Sequence, residues 1–215
     1  MGRRALPKVN PAILTSIHLF ELEDLSPPIV LGKFFSEPTR PLELEIGSGR
    51  GLFINTAAAE HPERNFIGIE LAKRYAHFSA SRLARSDIKN AIMIAGDGLK
   101  FANEFFAKDS VSAVHVYFPD PWWKGRHRKR RVMREPLLND IENILMPGGE
   151  LHFWTDVKEY FDSTLKLIAK VTHLDGPHAV DSKTPEHDLD YRTHFERRMR
   201  MHNKPVYRSL YKKRP

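Results

Sequence analysis

The sequence predicts an α/β fold built on an open, largely parallel sheet, and three observations carry that prediction. From Pro41 onward, apolar runs of strand length alternate with longer stretches of helical periodicity. A glycine turn, Gly47-Ser-Gly-Arg-Gly51, follows the first run and opens a helix. Acidic residues then stand at or near the carboxyl end of five successive runs, the edge at which open α/β sheets bind ligands. With 215 residues and 41% hydrophobic content, the chain suffices for one domain with a full core.

Residues 1–40, rich in proline and charge, read as an N-terminal arm or added layer, with a short helix expected over residues 13–25; residues 41–215 form the main domain. Strands are expected over 42–46, 65–70, 91–95, 113–118 and 150–155, with helices over 52–60, 72–86 and 136–145 between them. Leu145-Met-Pro-Gly-Gly149 reads as a helix stop followed by a turn. A further helix is expected over 158–172, then a polar connection, then a last strand over 206–211. There is no internal repeat or low-complexity tract.

No apolar run approaches bilayer-spanning length, and Met1-Gly-Arg-Arg-Ala-Leu-Pro7 lacks the apolar stretch of a signal peptide, so a cytoplasmic protein without a membrane partner is expected. The absence of cysteine excludes disulfides, thiolate zinc sites and cysteine nucleophiles. His127, His173 and His178 have no metal-ligand spacing, and no metal is expected. A net charge of +7 favours an acidic partner, and its clustering says where. Lys124, Arg126, Arg128, Lys129, Arg130, Arg131 and Arg134 form a run without an acid, suited to phosphates.

In the glycine turn the third position of a Gly-x-Gly-x-x-Gly fingerprint is Leu52, which weakens a nicotinamide-cofactor reading. The acids are Glu45, Glu70, Asp97, Asp120 and Asp156. Taken singly, Asp97 or Asp156 is as readily a helix N-cap or a solvated turn residue. Together they suit a cationic ligand better than a pyrophosphate, and S-adenosylmethionine is such a ligand. Its carboxylate can face the glycine-turn amides at Gly47 and Gly49, its ribose can meet Glu70, and its adenine amino group can donate to Asp97.

Asp120 lies between Pro119 and Pro121, which fix the backbone on both sides of the carboxylate. Trp122 and Trp123 follow, offering either stacking on an extruded base or core packing.

The combination Phe118-Pro-Asp-Pro-Trp122, Lys124, Arg126-His127 and Lys129-Arg-Arg131 resembles the bacterial tRNA (guanine-N7)-methyltransferase family within the class I S-adenosylmethionine methyltransferases. Leu44-Glu-Ile-Gly47, Gly68-Ile-Glu70, Thr155-Asp156 and Thr193-His-Phe-Glu196 follow in the family's order, over roughly residues 40 to 212. The resemblance implies a Rossmann-like, mostly parallel seven-stranded sheet with helices on both faces. It implies S-adenosylmethionine contacts from Glu45, Glu70, Asp97 and Asp120, with Asp120 also catalytic. It further implies substrate contacts from Lys124, Asp156, Thr193, His194, Phe195 and Glu196, with guanine 46 of the tRNA variable loop as the target. RNA phosphates are expected at Arg126, Arg128, Lys129, Arg130 and Arg131, in a monomer or homodimer. Two other readings stay open from the residues: a nucleic-acid amino-group methyltransferase, and a noncatalytic RNA-binding module that keeps cofactor affinity.

Overall fold

The computed structural model describes residues 6–122, 125–180, 193–202 and 204–215. Along the chain run β1 (Leu19–Glu21), β2 (Leu42–Ile46), α1 (Leu52–Glu60), β3 (Asn65–Glu70), α2 (Lys73–Arg85), β4 (Ala91–Ala95), α3 (Gly98–Glu104), β5 (Val111–Tyr117), α4 (Glu135–Ile144), β6 (Leu145–Thr155), α5 (Lys158–Val171), β7 (Asp175–His178), α6 (His194–Met201) and β8 (Tyr207–Lys212). The strands form one sheet in the order β1-β4-β3-β2-β5-β6-β8-β7. Pairings among β1 to β6 are parallel, whereas β8 runs antiparallel to β6 and β7.

Two strands, β1 and β7, lie outside the six expected from the residues, so the described sheet has eight strands where the resemblance implies seven. The helix expected over 13–25 does not form. Leu19–Glu21 instead pairs in parallel with Met93–Ala95, and Leu22 buries against Gly96, where an added Cβ would lie 2.4 Å from the Leu22 Cβ. The Met93 N–H donates to the His18 carbonyl at 2.7 Å, so the β4 edge gains hydrogen bonds that a helix would withhold. At the other edge, Asp175-Gly-Pro-His178 forms β7 without any apolar alternation to announce it.

Leu145 pairs with Val111 and Glu150 with Ala113, so residues 146–149 form an irregularity inside β6. Gly148 adopts a φ of 78° there, which realises the expected turn within the strand.

Helices cover both faces of the sheet. On one face α3, α4 and α5 bury Leu44, Ile46, Ile69, Val114, Val116, Leu151 and Phe153 with Leu137, Ile141 and Ile168. On the other, α1 and α2 bury Phe66 and Met93 with Ile54, Ala80 and Leu83. From β2 the chain steps outward through β3 to β4, then returns to β5 on the other side of β2. The topological switch therefore lies between β2 and β5, and the turns that leave these two strands border one crevice.

Candidate active site

Every residue of β2, Leu-Glu-Leu-Glu-Ile, is buried, so its two acids lie on a covered face and not in solvent. Burial alone would raise the Glu43 carboxyl, but His115 and Arg64 outweigh it and hold the group at about 2. Glu45 has no such partner. Burial pushes its carboxyl up to about 8, against a hydrogen bond from Ser48 and with added repulsion from Glu70. Its Oε2 is buried without a hydrogen-bond partner, which is costly unless a donor arrives.

Beyond Ile46 the chain turns through Gly47 (φ 83°) and Gly49 (φ 53°), conformations that side chains other than glycine's rarely adopt. An added Cβ at Gly47 would meet nothing within 4 Å, and at Gly49 only the Gly47 carbonyl at that limit, so the space beside both is open. Four amides of the turn donate within the protein. Gly47 and Ser48 donate to the Ile69 carbonyl, Gly51 donates to the Ser48 carbonyl, and Gly49 donates to Glu70 Oε2 at 2.9 Å. Glu70 Oε1 accepts the Ala72 N–H at 2.9 Å, so this carboxylate is fixed by two backbone donors at the end of β3.

Asp97 caps α3, its Oδ1 accepting the Leu99 N–H at 2.8 Å, and it is exposed at the crevice edge. The capping role and a ligand role are compatible, because Oδ2 is not used by the cap. Asp156 follows β6 and is half-buried. Asp120 leaves β5 on a turn whose flanking residues, Phe118 (φ 48°) and Trp122 (φ 43°), are both left-handed without being glycine. Such strain persists where the surroundings over-determine it, and it gathers at functional sites. Asp120 is exposed, and its Oδ1 accepts the Trp122 N–H at 3.2 Å. Its charge reaches Tyr160, whose hydroxyl is pushed up to about 12, chiefly by burial.

The basic segment divides. Arg126 and Arg130 are exposed, and the Arg130 guanidinium lies 5.1 Å from the centre of the Trp122 ring, which also meets His127 edge-on at 5.7 Å. Arg131, expected to meet phosphates, points inward: its Nε donates to the Pro121 carbonyl at 2.8 Å and its guanidinium packs 4.5 Å from the centre of the Tyr160 ring. The arginine thus braces the aspartate turn. Lys124 and Trp123 lie outside the described residues, as do the side chains of Arg128 and Lys129.

Thr193-His-Phe-Glu196 proves to be a helix start. Thr193 Oγ1 accepts the Glu196 N–H at 2.9 Å, the N-cap half of a capping box. The Glu196 carboxylate, expected to meet substrate, is buried and accepts from Arg208 Nη2 at 2.8 Å. Arg208 in turn packs 4.8 Å from the centre of the Trp154 ring. These contacts give Glu196 a structural occupation; the side chains of His194 and Phe195 lie outside what is described.

Two features of the site escape the sequence. Leu71, directly after Glu70, is 73% exposed at the crevice edge, and only its place after a strand-terminal acid marks it. Below the crevice His115 bridges Glu43 Oε2 (2.7 Å) and the Tyr117 hydroxyl (2.9 Å), a buried set that appears only once β2 and β5 are paired.

The chain matches, over residues 39–209, the family described as "Putative methyltransferase". A tRNA (guanine-N(7)-)-methyltransferase of Rhodopirellula baltica is 46% identical to it, over the whole of this chain and 81% of the relative. The chain belongs to the tRNA (guanine-N7)-methyltransferase family. A second member of the family, from Exiguobacterium sibiricum, is 33% identical over 78% of each chain. Among solved structures, the 16S rRNA methyltransferase KamB superposes with a TM-score of 0.58 at 17% identity, over 82% of this chain and 89% of that one, which speaks for the fold alone. S-adenosylmethionine is the cofactor of this methyltransferase family, and the crevice suits it. The partnerless buried oxygen of Glu45 wants a cationic donor, the space beside Gly47 and Gly49 is open, and the other acids at the edge favour positive charge.

Proposed function

We propose that this protein methylates N7 of guanine 46 in the tRNA variable loop, using S-adenosylmethionine and giving 7-methylguanosine and S-adenosylhomocysteine. The observation that carries this reading is the strained Pro119-Asp120-Pro121 turn at the topological switch point, with exposed Arg126 and Arg130 directly behind it. A carboxylate and two exposed arginines beside an acid-lined crevice support a site that pairs phosphate binding with stabilisation of positive charge.

Bound S-adenosylmethionine supplies an electrophilic methyl group. Glu45 would accept from its amino group, Glu70 and Asp97 would receive the ribose and adenine donors, and exposed Leu71 would offer the adenine an apolar neighbour. Guanine N7 carries an in-plane lone pair and no proton, so the transfer needs no general base, and placing the base in line is the protein's main task. As the N7–CH3 bond forms and the S–CH3 bond breaks, the positive charge would pass from sulfur to the purine, leaving neutral S-adenosylhomocysteine. Asp120, held by Pro119, Pro121 and the Trp122 amide, stabilises that charge and accepts from the guanine's N1 or N2 edge. Arg131 maintains the turn through the Pro121 carbonyl. Arg126 and Arg130, joined by Lys124, Arg128 and Lys129, hold phosphates, while Asp156 and the Thr193 hydroxyl contribute to seating the nucleotide.

The test is incubation of purified protein with methyl-labelled S-adenosylmethionine and unmodified bulk tRNA, followed by nucleoside digestion and mass-resolved chromatography. Label is expected in 7-methylguanosine. Label in methylated adenine or cytosine would replace this reading with amino-group methylation, and binding of both ligands without turnover would replace it with a noncatalytic module.

A further inference from the structure

The basic run after β5 is not the sole concentration of positive charge. Helix α2 carries Lys73, Arg74, Arg82 and Arg85 and no acid. Helices on the opposite face differ: α4 carries Glu135, Asp140 and Glu142 without a base, and α5 mixes Lys158, Lys166 and Lys170 with Glu159 and Asp162. Lys73 pairs with Glu21 at 2.9 Å, whereas Arg50, Arg74 and Arg85 enter no ion pair among the described residues.

Helical spacing sets Arg74, Phe78, Arg82 and Arg85 along one stripe of α2. The glycine turn adds Arg50 to it. The Arg50 guanidinium lies 5.3 Å from the centre of the Phe78 ring, Arg82 Nη1 donates to the Arg50 carbonyl at 3.2 Å, and Arg50 Nε is buried without a hydrogen-bond partner. The turn and helix are pressed together, since a Cβ at Gly51 would lie 1.7 Å from Ser79 Oγ. Burial, Arg85 and Arg50 lower the pKa of Arg82, so the cluster repels itself. Like charges on a helix that itself carries no acid cost stability unless an anion offsets them. α2 begins three residues after Glu70, so the stripe starts at the crevice edge, on the β3 and β4 side of β2, away from the segment that follows β5.

We infer that Arg50, Arg74, Arg82 and Arg85 form a second surface for the RNA backbone, gripping phosphates on the side of the crevice opposite the basic segment after β5. This rests on the reading of tRNA as substrate and adds where the rest of that molecule is held. Each phosphate neutralised releases counterions, so the surface contributes to salt dependence and not to base choice.

The variant R74Q/R85Q changes two exposed side chains outside the crevice. Its affinity for full-length unmodified tRNA is measured by fluorescence anisotropy across a KCl series, with K166Q/K170Q on the far face as a control of equal charge. The double arginine variant is expected to lose about 1 to 2 units of log–log salt slope and to weaken tRNA binding about tenfold at moderate salt, while calorimetry shows unchanged S-adenosylmethionine binding. A wild-type slope, or an equal loss in the lysine control, overturns the surface. The nucleoside labelled by the wild-type protein is read from the same preparations: the slope decides the surface, and the product decides the reading beneath it.

Discussion

Glu43 and Glu45 stand two residues apart on one face of β2, one held at about 2 and the other pushed to about 8. The difference is their partners: Glu43 has Arg64 and His115, and Glu45 awaits a ligand. An unfolded glutamate titrates near 4.5, so the folded state holds the extra proton at Glu45 between that value and about 8. Stability should therefore fall as pH rises through this window. Glu45→Gln is expected to remove that fall, giving a higher Tm than wild type at pH 8 with little difference at pH 4.5. It should also weaken S-adenosylmethionine binding at pH 8 by about tenfold or more, as measured by calorimetry, since a hydrogen bond to a charged group is lost. Asp120→Asn keeps the turn's Trp122 hydrogen bond but removes the charge, and single-turnover methylation is expected to slow about 100- to 1000-fold with Tm retained. A folded variant working at the wild-type rate would contradict the electrostatic role.

Helix α6 is tied to β8 by a charge pair with little exposure, Glu196 to Arg208, at 4% and 13% side-chain exposure. Removing one member leaves the other charge buried, so Glu196→Gln is expected to cost about 3 to 5 kcal/mol in urea unfolding. Glu196→Gln combined with Arg208→Met should cost less than Glu196→Gln alone. The sequence shows a Thr-x-x-Glu spacing, and that local signal does mark a helix start. What it hides is Arg208, twelve residues on, whose guanidinium donates to the Glu196 carboxylate. Arg131 is hidden for a similar reason: in a run of positive residues nothing local distinguishes the one that packs on Tyr160 from those that face solvent. The strands from β2 to β6 were legible because aliphatic runs and glycine turns are local signals. β1 was not, since Leu14, Ile17, Leu22 and Leu25 carry helical spacing around a three-residue strand whose existence depends on the free edge of β4.

At the scale of the molecule, the sheet topology converts separate turns into one crevice. The five strand-end acids were readable from the chain, but their division into paired, capping and partnerless groups required the pairing of β2 with β3 and β5. Basic surfaces on the two sides of the crevice frame it for a polyanion larger than a single nucleotide. tRNA binding should accordingly weaken steeply with salt, about one decade per decade of salt for each phosphate engaged, in an anisotropy titration. In the proposed reaction the nucleophile is guanine N7, presented to the methyl group beside Asp120. That assignment is tested most directly with two tRNA transcripts identical except that one carries 7-deazaguanine at position 46, which keeps the base's shape and pairing edge but lacks the N7 lone pair. Label from S-adenosylmethionine is expected in the guanine transcript and none above background in the 7-deaza transcript, with equal binding of both. Equal labelling of the two transcripts would contradict it.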